Sequence, residues 1–128
     1  LEEKEEISLP VTLRWGGAED AEGIAIPITF DKTPEFCEIT FEEDLNLMME
    51  LNGRWFYKAP GTKTVDMMSA FFETPVAPGT EMTLKIFAPP AYGENDPSQG
   101  DDWAVNYYTT MTKMPQLRIR YEEIQEVL

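Results

Sequence analysis

The chain has 128 residues, 42% of them hydrophobic and 12% aromatic, which suits one folded domain with one core and not a disordered polymer. Its 24 acidic residues against 10 basic ones give a formal net charge of −14, a surface that repels phosphate backbones and anionic headgroups, so nucleic acid and membrane are set aside as partners. No run of about 18 apolar residues occurs, so no membrane-spanning helix is expected, and the lone Cys37 excludes an internal disulfide.

Residues 1–6 are a charged tail without an apolar signal core, and residues 7–128 read as a single globular domain. A solitary cysteine suggests a reducing compartment and so a cytoplasmic or nuclear protein, the alternative being secretion as part of a larger protein. Residues 7–15 are strand-like, with Val11, Leu13 and Trp15 on one face, and Gly16-Gly17 ends them before a polar loop. Ile24, Ile26, Ile28 and Phe30 then alternate with Ala25, Pro27 and Thr29. Pro27 has no N–H to give a neighbouring strand, which predicts an edge strand or a bulge. Residues 31–34 form a turn, and residues 36–41 a short strand.

Residues 45–51 fit two periods: Leu45, Leu47, Met49 and Leu51 suit a strand, while Leu45, Met48 and Met49 suit a helix. Asn52-Gly53 favours the first, because both residues tolerate positive φ, and predicts a hairpin of residues 47–51 with 55–57. Residues 64–72 are the best helix candidate. Thr64 can cap, Asp66 sits in the first turn, and Met67, Met68, Phe71 and Phe72 cluster on one side, although Thr64 and Val65 also leave a strand open. Pro75 and Pro78 end the element. Met82, Leu84 and Ile86 form the next strand face, residues 94–102 a polar loop, residues 103–111 an extended aromatic stretch, and Leu117, Ile119 and Tyr121 the last strand. The sum is seven or eight strands with at most one short helix, a mostly β (α+β) chain. Two architectures fit: an antiparallel curved sheet around one short helix, or an all-β sandwich.

The chain has no histidine, which removes the Ser-His-Asp triad, the Cys-His pair and histidine-ligated zinc. It has neither a P-loop nor a dinucleotide-binding glycine fingerprint. Paired carboxylates for glycoside cleavage need only two acids, but most of the 24 here read as solvated surface. Glu94-Asn95-Asp96 with Asp101-Asp102 offers oxygen ligands for calcium, yet lacks the spacing of a helix–loop–helix calcium site and reads as a solvated loop. No catalytic residue, metal or cofactor is expected.

From Val76 onward the chain runs Gly79, then Leu84 and Ile86 on a strand, then Pro89-Pro90 and Ala91-Tyr92-Gly93, with a last strand at residues 117–122. These residues, in this register, resemble the C-terminal half of FKBP-type prolyl isomerases. Toward the N-terminus Leu13-Arg14-Trp15-Gly16-Gly17, Phe30-Asp31 and Phe36 are similar to the family's pocket-bearing segments, with Trp55 as a stand-in for the pocket floor. The resemblance implies a curved sheet wrapped on a short helix and a pocket made by Trp15, Phe30, Asp31, Phe36, Trp55, Tyr92 and Ile119. Tyr92 would donate its hydroxyl to a substrate carbonyl. Such chemistry needs no histidine, since an apolar pocket that favours the twisted imide lowers a barrier of about 18–20 kcal/mol without proton transfer. Departures from the family pattern include the long separation of Trp55 from Gly79 and Ile119 in place of an aromatic. They imply a degenerate pocket that binds a peptide or protein segment with weak or absent isomerase activity.

The rival reading is a non-catalytic β-sandwich module, carbohydrate-binding or cohesin-like. Residues 23–30 followed by Pro34 also look like an early strand of such modules. There Trp103, Tyr107 and Tyr108 would form a platform on which a polysaccharide stacks its apolar sugar faces.

Overall fold

The computed structural model describes residues 10–15, 22–89 and 107–121. In chain order these contain β1 (Val11–Trp15), β2 (Ile24–Phe30), β3 (Phe36–Thr40), β4 (Leu47–Leu51), β5 (Arg54–Lys58), β6 (Thr64–Asp66), a short 3₁₀ turn (Met68–Phe71), β7 (Thr80–Phe87), β8 (Tyr107–Met111) and β9 (Gln116–Arg120). The chain is mostly β, in open antiparallel sheets. One sheet has the order β2-β7-β4-β5, a second β6-β3-β9, and β1 pairs with β8 as a separate ribbon.

Period-2 patterning leaves the strands of the two larger sheets with apolar sides, and these contribute to one core. Ile24, Ile26, Ile28 and Phe30 of β2, Leu84 and Ile86 of β7, and Leu47, Met49 and Leu51 of β4 are buried. Cys37 and Ile39 of β3, with Phe41 beyond it, join the same core, and Leu117 and Ile119 of β9 pack against it. Leu13 and Met111 bring the β1–β8 ribbon into it. Pro27 lies on β2, an edge strand of the four-stranded sheet, where a missing N–H leaves no ladder broken on the outer side.

Residues 64–72 are where the expected helix is replaced. Thr64–Asp66 is a strand, its residues opposite Thr40, Ile39 and Glu38 of β3, and Met67 N–H donates to the Cys37 carbonyl at 2.9 Å. Only Met68–Phe71 is helical, as a 3₁₀ turn whose Met68 N–H is capped by Asp66 Oδ1 at 3.0 Å. β-branched Thr64 and Val65 favour the extended backbone, and the edge of β3 offers them hydrogen bonds. What is left before Pro75 is too short to recover the cost of nucleating an α-helix.

Candidate functional site

The Asn52-Gly53 turn builds the site. Asn52 has φ 55° and Gly53 φ 81°, the left-handed pair that matches the twist of a two-residue hairpin. That turn sets Met48 opposite Tyr57, Met49 opposite Phe56, and Glu50 opposite Trp55. Phe56 and Lys58 therefore point to the core, and Trp55 and Tyr57 to the other face. β7 continues both rows, with Phe87 across from Met48 and Lys85 across from Glu50.

The outer face of the four-stranded sheet thus carries one row of Tyr57, Met48 and Phe87 beside another of Trp55, Glu50 and Lys85. Trp15, from the end of β1, stands edge-on to both Trp55 (ring centres 5.7 Å apart, 74°) and Phe87 (5.9 Å, 88°). Trp55 and Phe87 are 5.8 Å apart and tilted by 35°. These are favourable edge-to-face and tilted contacts, so the three rings hold one another in place. Gly23 permits the arrangement: a Cβ there would sit 2.0 Å from the Ile86 carbonyl oxygen and 2.8 Å from Phe87 Cδ1. Trp55 remains 46% and Tyr57 54% exposed, large apolar surfaces that the fold leaves to solvent. The charges in the second row form a pair, Lys85 Nζ lying 3.9 Å from Glu50 Oε1.

Elsewhere the titratable groups serve the frame. Lys58 is fully buried, its ammonium donating to the carbonyl oxygens of Leu45 and Ala59. Desolvation lowers its pKa, with Asp44 acting in the opposite sense. The Cys37 thiol is pushed up to about 12, by burial first and by Asp66 second, so it is inert packing. Glu43 accepts from the Thr112 hydroxyl and from the backbone N–H groups of Thr112 and Lys113, which hold its carboxyl below the usual range. Among the described residues no group of three or more acidic or cysteine side chains is placed to hold a metal, and no helix is long and apolar enough to cross a membrane.

Of the residues expected around one pocket, the structure brings Trp15 and Trp55 together. Phe30 lies on the opposite face of the same sheet, in the core against Phe71 at 5.3 Å. Asp31 is at the surface, its backbone N–H donating to the Tyr121 hydroxyl at 2.9 Å. Phe36 is on the outward side of β3, with the guanidinium groups of Arg118 and Arg120 at 5.5 and 5.0 Å from its ring centre. Ile119 is opposite Cys37 and packs against the core. In the alternative platform, Tyr108 is exposed on β8 opposite Arg14, and the backbone of Tyr107 pairs with Trp15. Tyr92, Trp103 and the acidic loop offered for calcium lie outside the described residues.

Tyr57 and Phe87 are the members of the aromatic face that the sequence reading passed over. Both were within its reach: Tyr57 has the parity of Trp55, and a strand with Leu84 and Ile86 inward must turn Lys85 and Phe87 outward. No family model matches the chain, and comparison with curated proteins and with solved structures likewise gave no match.

Proposed function

We propose that this protein is a non-catalytic binding module of the β-sandwich type, and that it holds a polysaccharide on the outer face of its four-stranded sheet. The observation that carries this reading is the pair Trp55 and Tyr57, two half-exposed rings on one side of β5, with Trp15 and Phe87 behind Trp55. Residues two apart on a strand are about 7 Å apart, which suits neighbouring sugar rings lying flat on a sheet. Aromatic faces stack on the apolar faces of pyranoses and exclude water from them, and rings already fixed by their neighbours lose little freedom on binding.

The isomerase reading asks for Trp15, Phe30, Phe36 and Trp55 around one hollow. Their distribution over the core, the outside of β3 and the outside of the four-stranded sheet favours a flat binding face instead. A peptide or protein segment is the second reading, favoured by one feature: β5 ends its sheet, so an extended peptide could add to it beside Trp55.

Affinity electrophoresis in gels cast with individual soluble polysaccharides tests the first reading. At least one polysaccharide should retard the protein, Trp55→Ala should run freely, and Phe36→Ala should be retarded as the parent is. Retardation by no polysaccharide, or retention unaffected by Trp55→Ala, refutes it. Turnover of a Pro-containing peptide at the rate of a proficient isomerase would reinstate the pocket reading.

A further inference from the structure

We propose that the polysaccharide is uncharged, and that the Glu50–Lys85 pair reads its hydroxyl groups. This rests on the binding-module reading above. Glu50 lies directly across from Trp55, and Lys85 across from Glu50, so a sugar stacked on Trp55 extends its ring edge over both.

The separation is informative. At 3.9 Å the ammonium and carboxylate attract one another but are beyond hydrogen-bond length. Both are reachable from solvent, with side chains 50% and 27% exposed. A sugar hydroxyl both donates and accepts, so one hydroxyl, or two on adjacent carbons, can donate to Glu50 Oε1 while accepting from Lys85 Nζ. Hydrogen bonds to ionised partners are the stronger kind, and here they sit beside an aromatic wall that thins the solvent.

Charge selects the ligand class. The pair is neutral taken together, and the chain around it carries a net −14. A uronate or sulfated sugar would bring a second anion to Glu50 and approach a repelling surface. An uncharged pyranose chain meets no such penalty and satisfies both partners.

Isothermal titration calorimetry of the full chain tests this with soluble β-glucan, xylan and galactomannan as neutral probes and polygalacturonate as the anionic one. At least one neutral probe should bind and polygalacturonate should not. Glu50→Gln and Lys85→Gln should each weaken binding by about tenfold, the effect of losing one hydrogen bond to a charged group. Circular dichroism and thermal melting establish that each variant is folded, and Trp55→Phe keeps an aromatic wall where Trp55→Ala perturbs the sheet. If a neutral probe binds and both Gln variants bind as the parent does, the hydroxyl-reading role is overturned while the module stands. Equal or tighter binding of polygalacturonate overturns the charge selection. If no probe binds, or if light scattering shows dimers that Trp55→Ala dissolves, both readings fall.

Discussion

Replacing Asn52 by alanine is expected to destabilise the protein by about 2–5 kcal/mol, and the components can be separated. Asn52 holds φ 55°. In that region an ordinary Cβ-bearing residue costs roughly 1–2 kcal/mol, which asparagine largely avoids. Its Nδ2 also donates to the Ala70 carbonyl at 2.9 Å and the Thr74 carbonyl at 3.3 Å, tying the 3₁₀ turn and the stretch after it to the hairpin. Each such bond is worth about 0.5–1.5 kcal/mol net. Asn52→Gly restores the backbone freedom but not the two bonds, so it should lose about 1–3 kcal/mol, roughly half as much. Urea unfolding followed by tryptophan fluorescence measures both; with a slope of about 1–3 kcal/mol per molar urea, the alanine variant's midpoint falls by on the order of 1–2 M. The link to function is register, because this turn places Trp55 across from Glu50. Equal losses in the two variants would show that the left-handed turn contributes nothing. No loss in either would refute the account of the hairpin.

Gly23→Ala should cost about 3 kcal/mol or more, since the new Cβ meets the Ile86 backbone oxygen at 2.0 Å and neither strand can yield easily; thermal melting at parent stability would contradict the packing. The Glu43 carboxyl has a folded-state pKa below its unfolded one. Its contribution is therefore present above the ordinary carboxylate pKa and is lost as pH falls through the folded value. Glu43→Gln should accordingly make stability less steeply dependent on pH in that acidic window, which paired urea titrations would read; unchanged slopes would deny the Thr112–Lys113 clasp. Cys37, with its thiol raised to about 12 and fully buried, should resist a thiol reagent at neutral pH until urea unfolds the chain. Cys37→Ser should cost about 1–3 kcal/mol by burying a hydroxyl among apolar neighbours. Prompt labelling of native protein would show that site to be open.

Much of the strand pattern was readable one segment at a time. Ile24, Ile26, Ile28 and Phe30 alternate so strictly that burying one implies burying all four, and they are buried. Asn52-Gly53 named the hairpin, and of the edge or bulge that Pro27 implied, the edge is found. Residues 64–72 misled because the methionines and phenylalanines suit a helical side as well as a core-facing turn. The unpaired edge of β3, which takes Thr64–Asp66 as a strand, is invisible until β3 itself is placed. The aromatic site was half readable: Trp15 and Trp55 were singled out, yet with Phe30 and Phe36, which the fold sends to other surfaces.

Composition, periodicity and turn chemistry alone thus determined a β-rich, acidic chain without histidine chemistry, because strand parity and left-handed turns are local properties of the backbone. Which strands became neighbours was decided by tertiary structure. Tyr57, Met48 and Phe87 share a row only because β4 lies between β5 and β7, and Trp15 reaches Trp55 because the Arg14–Glu22 backbone bridge and Phe87 hold the end of β1 against this sheet. Trp15 and Phe87, 72 positions apart in the chain (87 − 15), meet in that face, a non-local contact that no short window of sequence encodes.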